Sequence, residues 1–208
     1  MKNNTTEAYR TRAEIVQFFK KNGLVYLART RVHWLPLLAM DLSTGDYYLE
    51  NNDYFEMAYR KYAHLVKDSD MAPIYIGRID SKVGYGVFAD AELEKDAFIG
   101  EYTGVIQEAV ETAGQELDEG GFESDYSWYY LEEIEQAPTL EINGRFEGNE
   151  LRYVNHSNEP NVDVEHILID GYWVLFFKAA RNIKAHEQLL ISYGEAYWED
   201  DWRAFKSL

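Results

Sequence analysis

Apolar positions in the first 72 residues fall into two helical stripes with denser apolar runs between them. Tyr9, Ala13, Val16 and Phe19 share one helical face, with Thr5 or Thr6 as the cap and Lys20, Lys21 and Gly23 closing the segment. A second face aligns Tyr54, Ala58, Tyr62 and Leu65 behind a start at Asn52 or Asp53. Stripes of this kind are ordinarily core packing. Between them, residues 24–28 and 32–38 predict short strands. After Pro73 the pattern changes to short apolar runs separated by glycines, at 74–79, 98–102, 151–154, 173–177 and 189–193. Runs so short and irregularly spaced predict small sheets rather than alternating βα layers. The expected class is α+β, mostly β with some α. The expected division is an extension over 1–72 (helix, strands, helix), a main domain over 73–198 and a short tail over 199–208. No internal repeat or low-complexity tract is present.

Composition narrows the chemistry. The chain has 208 residues, 46% of them apolar and 15% aromatic, which is ample for a packed core. It has no cysteine, which excludes disulfides, thiolate nucleophiles and every Cys-ligated metal site. No apolar run is long enough for a membrane span, and residues 1–12 are polar, without the apolar centre of a cleaved signal. A cytoplasmic or nuclear location is expected, or export without a cleaved signal.

The net charge is -17, from 20 basic and 37 acidic residues. Direct nucleic-acid binding is therefore not expected, since such a protein must neutralise phosphates, and a basic partner suits the chain better. Residues 1–72 hold ten basic and nine acidic groups, so the acidity belongs to the remainder. Ten acids and no Lys or Arg lie between 108 and 135, a run that reads either as a solvated face or as a surface for a basic partner.

Three segments carry candidate chemistry. Gly84-Tyr85-Gly86 precedes a strand-like Val87-Phe88-Ala89, leaving backbone bare for a tight turn or a close ligand. No third glycine opens a helix, so a dinucleotide fingerprint is not formed. Arg152 to Asn161 turns from apolar strand residues into a polar loop with Asn155, His156, Ser157 and Asn158, broken by Pro160. Asn and His there supply donors and acceptors in fixed positions. His156 and Ser157 are neighbours, so in extended chain they point apart and make a poor nucleophile and base pair. The five histidines lack the spacing of a zinc site, and no metal is expected. Finally, Glu187 to Gly194 is an apolar strand that delivers Tyr193 just before a glycine.

Together with Gly100-Glu101-Tyr102-Thr103-Gly104 and Gly148-Asn149, these segments closely resemble the SET-domain protein lysine methyltransferases, in order and in spacing. The resemblance covers about 74–198, roughly 60% of the chain, and its most specific part is Asn155-His156-Ser157-x-x-Pro160-Asn161. It implies a SET fold of several small sheets with a C-terminal pseudoknot, and transfer of methyl groups from S-adenosyl-L-methionine to a lysine ε-amine in a basic, histone-like protein. Gly84, Tyr85, Gly86, Arg152, Asn155, His156 and Trp198 would hold the cofactor. Tyr193 matches the family's catalytic tyrosine, and the resemblance implies Tyr102 as a second catalytic residue. Tyr126, Phe146, Ile191 and Tyr197 would line the substrate channel. The alternative is a catalytically weak module of the same fold that binds the cofactor or a basic peptide.

The departures have their own implications. Asn158 stands where many members have a zinc-ligating cysteine, so Tyr197, Trp198, Trp202 and Phe205 would close the channel without a zinc module. Ile191 replaces a frequent Phe or Tyr, which leaves room for di- or trimethylation. His186 replaces a usual glycine and Ser192 a frequent Asp.

Overall fold

Thr11 and Glu14 start the first helix. The Thr11 hydroxyl accepts the Glu14 N–H at 3.3 Å and the Glu14 carboxylate accepts the Thr11 N–H at 2.9 Å, a reciprocal cap for two donors that the helix itself leaves unpaired. The computed structural model describes residues 7–109, 126–130 and 137–194. Thr5 and Thr6 lie outside them, and helix α1 spans Arg12–Lys21. Strand β1 (Ala8–Tyr9) takes up residues expected in that helix. The buried stripe of α1 is Ile15, Phe18 and Phe19, while Val16 is exposed, because two adjacent phenylalanines turn the apolar face away from the expected one.

Strands β2 (Val25–Tyr26) and β3 (Arg31–Val32) are shorter than expected. Pro36 cannot donate to a ladder, and a 3-10 turn over Leu35–Ala39 replaces the rest of the second run. Helix α2 (Asp46–Glu50) had no forerunner in the periodicity. Helix α3 (Asn52–Lys67) starts where expected and buries Phe55, Ala58, Tyr62, Ala63 and Val66.

The remaining strands are β4 (Ile74–Asp80), β5 (Gly84–Ala89), β6 (Phe98–Glu101), β7 (Val105–Glu108), β8 (Ser127–Tyr129), β9 (Leu140–Asn143), β10 (Glu147–Gly148), β11 (Asn155–His156), β12 (Val162–Ile169), β13 (Tyr172–Ala179) and β14 (Leu190–Ile191). Among the described residues they form five small sheets, ordered β1-β4-β5, β10-β2, β11-β14, β12-β13-β6 and β3-β7-β9-β8. Each of the three N-terminal strands is thus paired with a strand from beyond Pro73. The strand expected at 151–154 is instead a 3-10 turn over Glu150–Tyr153, because the Asn149 side chain accepts the Leu151 N–H and caps it. No described helix is long and apolar enough to cross a membrane.

The longest ladder is the β12–β13 hairpin, turned by Asp170 and Gly171 with φ of 53° and 89°. Two residues of positive φ match the twist of the flanking strands. Helix α3 covers this hairpin, with the Phe55 ring 4.8 Å from Trp173 and Tyr62 4.9 Å from Phe176.

The hairpin lies between two segments that meet side by side, β11 and β14, which pair in parallel with Asn155 opposite Leu190 and His156 opposite Ile191. Asn161, 1% exposed, fastens them. Its amide donates to the Gln188 carbonyl at 2.8 Å and to Glu187 at 3.2 Å, and its side-chain oxygen accepts the Leu190 N–H at 2.8 Å. Asn161→Ala leaves a buried donor and acceptor unpaired, and denaturant melts should show a loss of about 2 kcal/mol. Glu187 is held at a pKa of about 2, first by Arg181 at 2.6 Å, then by the Lys184 N–H and by Asn161. A folded-state pKa below the unfolded value near 4.3 gives stability that is present above that value and lost as pH falls toward 2. The melting temperature should therefore drop between about pH 5 and 2, and Glu187→Gln should flatten that slope.

Candidate active site

Asp80 folds the turn that opens the site. Its carboxylate accepts the N–H groups of Lys82 and Val83, each at 2.7 Å, and so presents Gly84 to the cavity with φ at 82°. Gly86 sits where three segments converge. A Cβ there would lie 2.7 Å from Gln188 Nε2, 2.8 Å from Ile79 Cδ1 and 3.1 Å from Asn155 Nδ2, so a side chain at this position would push those neighbours aside. The Asn155 amide donates to the Tyr85 carbonyl at 3.1 Å, tying the glycine segment to the Asn-His segment.

Asn149 connects the next wall, its amide donating to the Glu101 carbonyl at 2.6 Å. Arg152 is buried, and donates from Nε to the Gly144 carbonyl at 2.9 Å and from Nη2 to the Arg145 carbonyl at 2.8 Å. Its guanidinium lies 4.0 Å from the centre of the Tyr126 ring, within cation–π range. Tyr126 has φ of 68°, costly for an aromatic residue. Its carbonyl is fixed twice, by the Tyr102 hydroxyl at 2.7 Å and the Gly144 N–H at 2.9 Å. Burial raises the Tyr102 pKa above the ordinary phenol value, so its hydroxyl stays a donor.

The parallel pairing of β11 and β14 places Tyr193 against the same loop. Its hydroxyl donates to the Val154 carbonyl at 3.0 Å and its N–H donates to His156 Nδ1 at 3.1 Å. Since Nδ1 accepts, the imidazole proton sits on Nε2, which faces Asn158 Oδ1 at 3.2 Å.

These elements enclose a cavity of about 350 Å³ lined by Val83, Gly84, Tyr85, Tyr102, Tyr126, Ser127, Trp128, residues 151–155, Ile191 and Tyr193. Gly86 and His156 lie behind the lining as packing and hydrogen-bonding supports. Phe146 is outside it and 65% exposed: its carbonyl is taken by the Val25 N–H in the β2–β10 pairing, and Arg145 lies over its ring. Tyr197, Trp198, Trp202, Phe205, the 199–208 tail and most of the acidic 108–135 stretch lie outside the described residues. Trp128, Tyr153 and Val154 join the lining without having been singled out in the sequence, Val154 through a carbonyl that no side-chain pattern signals. Asn161, the last residue of the Asn-His-Ser motif, was signalled by it and acts as the fastening described above.

Short sheets interlocked around one aromatic cavity, with a tyrosine hydroxyl fixed in its wall, place this α+β protein in the SET class. The family model named SET domain matches residues 84–194, more than half of the chain, and the chain belongs to that family. It is 30% identical over 115 residues to histone-lysine N-methyltransferase EZH2 of Chaetomium thermophilum, a match covering 55% of this chain and 8% of the relative. It is 33% identical over 128 residues to histone-lysine N-methyltransferase SUV39H2 of Xenopus tropicalis, covering 57% of this chain and 29% of the relative. The chain thus spans under a third of either curated relative's length. A solved structure of ATXR5 with mono-methylated histone H3.1 shares the fold at a TM-score of 0.62 and 18% identity, over 89% of this chain and 88% of the other. A ctPRC2 structure bound to S-adenosylmethionine matches at 0.51 and 28% identity, over 62% of this chain and 16% of the other.

The Tyr102 hydroxyl is a buried support, so Tyr102→Phe should cost about 1 kcal/mol in a denaturant melt. An unchanged midpoint would show that Tyr126 is held without it.

Proposed function

We propose that this chain transfers methyl groups from S-adenosylmethionine to the ε-amine of a lysine in a basic, histone-like protein. One observation carries the proposal: the Tyr193 hydroxyl stands 3.0 Å from the Val154 carbonyl in the wall of an aromatic cavity that the glycine segment also lines.

The residues suit that cofactor. A cavity of about 350 Å³ is in the size range of small-molecule sites. A Cβ built on Gly84 meets no atom within 4 Å, so bare backbone faces open space where a ligand can approach closely. The Gly84 and Tyr85 backbone would hold the cofactor, with Asn155 fixing that backbone from behind and Tyr153 facing the cavity. Arg152 shapes the wall, since its Nε and Nη2 already serve the Gly144 and Arg145 carbonyls. When bound, the cofactor supplies an electrophilic methyl group on a positively charged sulfur.

The chain's own residues deal with the nucleophile. A lysine must lose its proton to attack, and moving from a pKa near 10.4 to neutral at pH 7 costs roughly 4.6 kcal/mol. Desolvation among Tyr102, Tyr126 and Trp128 disfavours the ammonium form and supplies part of this. The same rings hold a methylated cation by cation–π contact. Tyr193 orients the amine through its hydroxyl oxygen, which accepts from the amine N–H groups and stabilises the positive charge that develops there, while its proton goes to the Val154 carbonyl. Ile191, smaller than an aromatic residue, leaves space in the lining for a second or third methyl group. The net charge of -17 suits a lysine-rich substrate, and a nuclear or cytoplasmic location fits that partner.

Tyr193→Phe should lower kcat on a histone-like peptide by about 100-fold, the loss expected for one preorganised hydrogen-bonding group, with calorimetry showing S-adenosylmethionine affinity within about twofold of the unaltered chain. Unchanged turnover would remove Tyr193 from the chemistry, and absence of transfer by the unaltered chain would leave a binding module.

A further inference from the structure

Tyr85 stands between Gly84 and Gly86, where backbone freedom leaves its ring without local direction. Its direction comes from the N-terminal segment. The Phe18 ring of α1 meets Tyr85 edge-on at 4.8 Å and Tyr153 at 5.5 Å, and Phe19 meets Tyr153 at 5.9 Å. The Tyr85 hydroxyl donates to Glu7 at 3.2 Å, and Arg78 lies 3.6 Å from the same carboxylate. Glu7 is braced in turn by the Tyr9 hydroxyl.

Ile15, Phe18, Phe19 and Ile76 form a core separate from the main one, and Tyr85 and Tyr153, both in the cavity wall, pack against it. A helix that served only to stabilise the fold would need no contact with the cavity. Here the buried rings of α1 touch two of the five lining tyrosines, Tyr85 and Tyr153, from behind.

We infer that α1 belongs to the cofactor site, with Phe18 the positioning residue that sets the Tyr85 and Tyr153 rings for S-adenosylmethionine. This rests on the proposed function, because it assigns that cofactor to the cavity. Phe18 touches no reacting atom. Its loss therefore acts on cofactor affinity and leaves the rate of the bound complex largely alone.

The test compares Phe18→Ala with Phe55→Ala, which opens a cavity of similar origin in the main core where Phe55 packs on Trp173. Each variant is measured by thermal melt, by calorimetry with S-adenosylmethionine and by steady-state kinetics. Phe18→Ala should weaken S-adenosylmethionine binding about tenfold with kcat within about twofold, and Phe18→Leu should recover most of the affinity. Phe55→Ala should keep its affinity despite a comparable fall in melting temperature. If Phe18→Ala does not fold, Glu7→Ala takes its place, removing the acceptor of the Tyr85 hydroxyl without opening a core, and should weaken binding about threefold. Equal affinity losses in Phe18→Ala and Phe55→Ala, or unchanged affinity in the Phe18 variant or in its Glu7 substitute, overturn the inference alone. No binding by the unaltered chain overturns the proposed function and this inference with it.

Discussion

A parallel pair of two-residue strands holds this site together. Parallel neighbours cannot be joined by a tight turn, and the 33 residues from 157 to 189 between β11 and β14 are used to fold the β12–β13 hairpin. The pairing of β14 with β11 closes a long loop, so the cavity depends on contacts between residues far apart in sequence. A backbone ladder of this length is weak on its own, and Asn161, on the chain that leaves β11, adds three bonds from one buried side chain to Glu187, Gln188 and Leu190 at the start of β14. Only in that arrangement do His156 and Val154 face Tyr193.

The same dependence on support from other segments recurs in the cavity wall at Tyr126 and, outside the cavity, at His186. Tyr126 and His186 hold left-handed backbone at φ of 68° and 66°, conformations that cost about 1 kcal/mol or more for such residues and persist only when their surroundings impose them. For Tyr126 the imposing contacts are the Tyr102 hydroxyl and the Gly144 N–H. For His186 the N–H is bound by the Ala89 carbonyl at 2.8 Å. His186 thus takes, at a position where the resemblance leads one to expect glycine, the left-handed backbone that glycine adopts at little cost.

What the sequence revealed depended on how local the signal was. Asn52–Lys67 announced itself because Ala58 and Tyr62 repeat at helical spacing with a polar start, and both are buried. The glycine, Asn-His and Tyr193 segments were recognisable as motifs, and eight residues picked out from them and their flanks line one cavity: Gly84, Tyr85, Tyr102, Tyr126, Arg152, Asn155, Ile191 and Tyr193. The failures have both local and nonlocal causes. Leu151 to Val154 looks like a strand until Asn149 caps a turn there. Val162–Ile169 escaped notice because Asp163, Glu165 and His166 interrupt its apolar pattern, although its pairing along all of β13 makes it a long strand. Phe146 promised a channel aromatic, yet pairing of its carbonyl with Val25 from the N-terminal extension leaves its side chain outward. The link from Phe18 to Tyr85 joins residues far apart in sequence, so periodicity could show only that Phe18 is apolar.

The central claim is that the stapled Asn-His and Tyr193 segments build one cavity in which a sulfonium methyl and a neutral lysine amine meet. Its most direct test is a crystal structure of the chain with S-adenosylhomocysteine and a lysine-bearing histone-like peptide. The account predicts the cofactor sulfur and the lysine nitrogen inside the cavity between Tyr85 and Trp128, with the Tyr193 hydroxyl beside the line joining them. Ligand density outside that cavity, or a lysine nitrogen separated from the sulfur by an intact protein wall, would contradict it.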